Sequence, residues 1–132
     1  MTNTQIIIKF MSYEWGCTHK TDKYGYHQCE EGVTIPALKN PDIHKEDDFD
    51  GHGFSFKQLK FSSDWKFLMP VIEKILSLKF EDGENYYLRT FGMKDENNNY
   101  MVRINRHQLF TEKNLIKSAY LAVSDCLRRL SN

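Results

Sequence analysis

The chain has 132 residues, the size of one domain with room for a single core. Its 14% aromatic share carries much of the burial that a 40% hydrophobic share leaves short, so disorder of the whole chain is not expected. Eighteen basic residues against eighteen acidic ones exclude the broad basic footprint of a dedicated nucleic-acid binder, and exclude an acidic nucleic-acid mimic.

The first element is a strand expected over Gln5 to Met11, with β-branched Ile6, Ile7 and Ile8 at its centre. That apolar run is too short for a signal-peptide core, and no small-residue cleavage site follows it. No window approaches a membrane-spanning length of about eighteen apolar residues, so no membrane partner is expected. Three cysteines and no export signal point to a reducing cytoplasm, with free thiols or metal ligands rather than a disulfide framework.

Residues 17–55 are expected to be irregular. They hold two of the three prolines, four of the seven glycines and four of the five histidines, with few aliphatic residues. A loop of roughly forty residues is unusual in a compact domain unless it is functional, disordered or held by a metal. Cys17, His19, His27 and Cys29 supply a donor set for one tetrahedral zinc ion. The one-residue gap within each pair departs from the turn-based spacing of familiar knuckles, and coincidence is the competing reading. Alternate residues of a strand do share a face, so a hairpin turning over Lys20 to Tyr26 would bring the pairs together. His44, Glu46, Asp47, Asp48, Asp50 and His52 form a second cluster that suits a divalent ion or acid–base chemistry, though a solvated acidic loop has the same composition.

A first helix is expected from Asp64 to Leu78, capped by Ser62 or Ser63. Trp65, Leu68, Ile72, Ile75 and Leu76 make its apolar stripe, and Trp65 should pack between helices and sheet. Pro70 should kink it. Tyr86 to Gly92 and Tyr100 to Asn105 alternate as a hairpin turning over Lys94 to Asn99. Its outer face would carry Tyr87, Arg89, Phe91, Met101 and Arg103, the residue types of a partner-binding surface or of a nucleotide or single-stranded nucleic-acid platform. A half-exposed strand face has that composition too. A second helix is expected from Glu112 to Leu130, capped by Thr111, with Ile116, Ala119, Tyr120, Val123, Cys126, Leu127 and Leu130 on its apolar stripe. Cys126 on that face should be an inert thiol. The sequence has no Walker loop, dinucleotide fingerprint, nucleophile elbow or His-Glu-x-x-His.

Phe61-Ser62-Ser63-Asp64-Trp65, followed by Leu68-Met69-Pro70-Val71-Ile72-Glu73-Lys74-Ile75, resembles a signature of small uncharacterised proteins from phages and prophages of Bacteroidetes. In those proteins the helix precedes strands and a C-terminal helix, which here would include Asn114 to Val123. The layout is also similar to the phage ABA-sandwich domain. The resemblance spans about residues 56–130 and brings no catalytic residues to transfer. It implies an accessory protein that binds a host or phage macromolecule in the cytoplasm of a bacterial host, with a defence system among its targets.

The expected fold is therefore α+β, one domain over residues 1–132. A small antiparallel sheet packs against two helices within residues 56–130, and residues 17–55 form a long irregular excursion. The function expected is partner binding without catalysis. The alternative is a zinc-containing or nucleotide-acting enzyme built on the Cys/His cluster.

Overall fold

The computed structural model describes residues 1–21, 27–40, 52–79 and 83–131, with backbone alone for residues 16–21 and 27–30. The elements run α1 (Asn3–Met11), β1 (Glu14–Thr21), β2 (His27–Thr34), β3 (Gly53–Ser55), a 3-10 turn (Phe56–Gln58), α2 (Trp65–Leu76), β4 (Leu88–Lys94), β5 (Tyr100–Ile104), β6 (Phe110–Glu112) and α3 (Leu115–Leu130). Two antiparallel three-stranded sheets, ordered β1-β2-β3 and β4-β5-β6, together with the helices make the chain α+β. The chain divides into two compact units, one of Met1–Met11 with Lys60–Asn132 and one of Ser12–Leu59.

In the first unit, α3 packs on β5 and β6, and α1 packs on α3 and α2. The N-terminal segment corrects the expected strand over Gln5 to Met11. Thr2 caps α1 by accepting from the Gln5 amide at 3.2 Å, and the Gln5 side chain accepts from the Thr2 amide at 2.8 Å. This reciprocal cap satisfies two orphan donors of the first turn and starts a helix where β-branched residues alone suggest a strand. Ile6, Ile7 and Ile8 are then all buried. Lys74 of α2 donates to the Phe10 carbonyl and lies 4.7 Å from the Phe10 ring centroid, which satisfies a carbonyl in the last turn of α1.

Asp64, rather than Ser62 or Ser63, caps α2 and accepts from the Lys66 amide at 3.1 Å. The helix buries Phe67, Leu68, Val71, Ile72 and Ile75. That stripe is rotated from the expected one, and Trp65 is only partly buried rather than packed at the centre of the core. Pro70 lies inside the helix without ending it. Asn114 caps α3 in place of Thr111, accepting from the Ile116 amide at 3.0 Å, because residues 110–112 form β6 instead of a first helical turn. Ser118 donates from the buried face of α3 to the Tyr100 carbonyl at 2.8 Å, tying the helix to β5.

In the second unit, much of the stretch expected to be irregular is a regular hairpin. β1 and β2 pair without a slip from Glu14↔Thr34 to Thr21↔His27, and β3 adds to β2 with Val33 opposite Phe54. Val33, Ile35, Phe54 and Leu59 are its buried apolar residues among those described. Gly32 permits the close approach: a Cβ there would stand 2.0 Å from the Phe54 carbonyl oxygen. The buried Asn40 amide donates to the Gly53 carbonyl at 2.8 Å and to Gln58 Oε1 at 2.9 Å, bridging segments that carry little aliphatic surface.

Candidate functional site

The β4–β5 hairpin positions the residues singled out on its outer face. Turning over Asp95 to Asn99, it is held by Asp95, whose carboxylate accepts from the amides of Asn97 and Asn99, each at 2.9 Å. On β5, Val102 and Ile104 are buried while Met101 and Arg103 are only partly covered, as the period-two pattern predicts. Leu88 pairs with Ile104 and Arg89 with Arg103, but then the register slips, and Met93 meets Met101. Four steps along β4 thus match two along β5, which makes a bulge of Thr90, Phe91 and Gly92. Gly92 has φ +84° and needs no side-chain clearance. Thr90 has φ +61°, a left-handed conformation that is costly for a β-branched residue.

Phe91 lies within the bulge. Its ring is 42% exposed and meets Trp65 edge-on, with centroids 5.9 Å apart. Trp65 therefore flanks the outer face, and Met93, 58% exposed, extends it. Tyr87 is exposed just before β4, where its amide donates to Asn105 Oδ1 at 2.9 Å and its carbonyl accepts from the Asn105 amide at 2.9 Å. Asn105 itself has φ +53°, which suits asparagine.

The two arginines differ. Arg103 is committed within the fold, donating from Nε to the His107 carbonyl at 2.5 Å and from Nη2 to the Arg106 carbonyl at 3.0 Å. It therefore fastens the turn after β5. Arg89 is exposed, directly opposite Arg103. Among the described residues no carboxylate pairs with it. Its guanidinium is the cation on this face that remains available for a bound anion. Phe91 and Trp65 thus join Tyr87, Arg89 and Met101, while Arg103 holds the scaffold. Trp65 and Met93 are absent from the sequence-based surface because strand alternation ignores both the neighbouring helix and the bulge. Gly92 within a strand pattern was the visible signal.

Cys17, His19, His27 and Cys29 lie on β1 and β2, with His19 opposite Cys29, Cys17 opposite Glu31 and His27 opposite Thr21. Their side chains lie outside the described residues, as do residues 22–26 of the expected turn and His44, Glu46, Asp47, Asp48 and Asp50 of the acidic cluster. His52 is described, and its Nδ1 lies 2.7 Å from the Leu38 carbonyl, a contact within the second unit. Among the described residues no group of three metal-ligating side chains converges.

Cys126 is buried in α3, and burial, with a smaller push from the Asp125 carboxylate, raises its thiol to about 12. It stays a thiol at neutral pH and is no nucleophile. His107 is shifted the other way. Burial first, then the positive charges of Arg129 and Arg103, lower it against an opposing pull from Asp125. Its shielded Nδ1 meets no partner among the described residues. Among the described residues no helix is long and apolar enough to cross a membrane.

No family model matches this chain, and no curated protein or solved structure matches it either.

Proposed function

We propose that this chain is a non-enzymatic binding protein that engages a macromolecular partner through the outer face of β4–β5. The observation that carries this reading is the strained bulge at Thr90. A β-branched residue in a left-handed conformation opposes folding, and such strain persists where it holds a functional group in place. Here it holds Phe91 exposed against Trp65, beside Tyr87, Met93 and Arg89. Aromatic rings, methionine and arginine are the types enriched where interfaces are tightest.

The resemblance to phage and prophage proteins supports a host or phage protein as the partner and the cytoplasm of a bacterial host as the setting. Interference with a host defence system fits that setting. A nucleotide or single-stranded nucleic acid is the competing ligand, since Arg89 on a face with exposed rings also suits a phosphate and a base.

The test is capture from host lysate with the wild type, Phe91→Ala and Tyr87→Ala, each checked for folding. One protein retained by the wild type and lost by both variants supports the reading. A fraction retained by nucleic acid and released by nuclease replaces the protein partner with a nucleic acid. Equal retention by all three chains removes the β4–β5 face from the interaction.

One observation favours a second reading, a zinc-containing hairpin. The β1–β2 register sets His19 directly opposite Cys29, with a second cysteine two residues from His19 and a second histidine two residues from Cys29.

A further inference from the structure

Arg89 and Arg103 stand directly opposite each other on neighbouring strands of the β4-β5-β6 sheet. Like charges so placed repel, and the pairing opposes folding unless something offsets it. Among the described residues no carboxylate pairs with either guanidinium. Arg103 donates to the His107 and Arg106 carbonyls, and neutral carbonyls fix a guanidinium without cancelling its charge. His107 feels that charge: burial, then Arg129, lowers its pKa, and Arg103 lowers it further against Asp125.

The rungs on either side hold uncharged residues. Met93 lies opposite Met101 and Met101 opposite Thr111, two β5 residues from Arg103, or about 7 Å along the strand. On the other side, exposed Tyr87 shares a rung with Asn105 through their backbones. A rung of two cations between uncharged rungs fits one oxyanion flanked by apolar groups. A single nucleic-acid strand presents a phosphate at every nucleotide and is tracked by a run of cations. The outward positions of β4 and β5 hold cations on one rung only, which favours a polypeptide.

On the reading that this face is the binding surface, we propose that the Arg89–Arg103 rung seats an aspartate or glutamate carboxylate of the partner protein, while an apolar side chain of the same segment lies against Tyr87 or against Met93 and Met101. Arg89 makes the contact, because its exposed guanidinium offers two parallel N–H donors to a carboxylate. Arg103 acts from the scaffold, adding positive charge at a fixed place. A spacing of about 7 Å spans two residues of an extended segment or about four to five of a helix.

The probe is a random dodecapeptide library selected on the full wild-type chain. Enriched peptides should share an acidic residue with a large apolar residue two or four positions away. For an enriched peptide made synthetically, Arg89→Gln should weaken binding at least about tenfold, the worth of a hydrogen bond between charged groups. Replacing the peptide's acid by its amide should weaken binding as much, and the two changes together should cost little more than either alone. Arg89→Glu should prefer the peptide in which lysine replaces that acid. Arg89 is exposed, so these variants report contact rather than folding, which circular dichroism checks. Enriched peptides without an acid, or no coupling between Arg89 and the acid, overturn the inference; the face itself stands if those peptides lose binding to Phe91→Ala. No enriched peptide, or equal binding by wild type, Arg89→Gln, Phe91→Ala and Tyr87→Ala, overturns both. A thymidine dodecamer that binds the wild type more tightly than any peptide, and is lost in Arg89→Gln, assigns the rung to phosphate and overturns the carboxylate.

Discussion

Met1–Met11 with Lys60–Asn132 buries Ile7, Leu68, Val71, Val102, Val123 and Leu127 where helices meet a sheet. Ser12–Leu59 buries Val33, Ile35, Phe54 and Leu59 among its described residues. The first unit is stabilised by side-chain volume on helical stripes. The second depends on backbones brought close at Gly32 and on the Asn40 amide that bridges Gly53 and Gln58. The two should therefore fail in opposite ways, the first when atoms are removed and the second when one is added.

The largest effect tests the first unit. Leu68 is fully buried in α2, and Leu68→Ala should cost about 3–5 kcal/mol in chemical denaturation, from lost transfer energy and the cavity left behind. Trp65 has a larger side chain but is only partly buried, with an edge-on contact to Phe91. Trp65→Ala should cost about 1–2 kcal/mol, because an aromatic pair adds only about 0.5–1.5 kcal/mol to the area it covers. A larger loss at Trp65 than at Leu68 would reverse the assignment of the α2 stripe.

Gly32→Ala tests the second unit. The added Cβ would meet the Phe54 carbonyl at 2.0 Å, and backbone yields less readily than a flexible side chain. A loss of about 1–3 kcal/mol is expected from overpacking. Hydrogen exchange should quicken at Val33 and Phe54 before it does at Val102 or Val123. Uniform quickening across both groups would show that the two units open together.

The same contrast explains what could be read from the sequence. The α3 stripe was legible because Ile116, Ala119, Val123, Cys126 and Leu127 keep helical spacing over about three turns, and these five are buried, whereas Tyr120 of the same stripe is half-buried and Leu130 at the helix end is exposed. The β4–β5 alternation was legible up to Arg89. Beyond it, a bulge depends on how two strands match, and neither strand's pattern contains that information. Ile6-Ile7-Ile8 misled because a short run buried on all sides has no period, yet Thr2 and Gln5 already carried the capping signature. The β1–β2 hairpin was legible only as one option, through the alternation of the Cys/His pairs, because its composition suggests an irregular segment. Its strands pair through backbone hydrogen bonds, which few aliphatic residues advertise. The candidate surface followed the same division: Tyr87, Arg89, Phe91 and Met101 came from alternation, while Trp65 needed the contact with Phe91 and Met93 the bulge.

Thr90→Gly sharpens the contrast within the first unit, where one position favours function over stability. Glycine adopts φ +61° without steric cost, so the variant should gain about 1 kcal/mol, less its own entropic penalty. If the strain positions Phe91, partner capture should weaken although the protein is more stable. A variant that is neither more stable nor weaker in capture would remove strain from the account of this face.

The smallest effect concerns pH, and it falls in the first unit because His107 lies there. Burial, then the charges of Arg129 and Arg103, lower the His107 pKa, with Asp125 opposing. Asp125 is itself engaged by Arg129, whose Nε donates to its Oδ2 at 2.8 Å. The unfolded ring takes its proton near the ordinary value of about 6.5, and the folded ring only at lower pH. Between the two, the unfolded state binds more protons, so stability falls as pH drops. The contribution is fully present above the unfolded value and is lost through the folded one. Chemical denaturation at about pH 8 and about pH 5 should show wild type losing more stability than His107→Gln, a window set by the ordinary histidine value. Parallel losses in the two proteins would place the acid sensitivity on carboxylates instead.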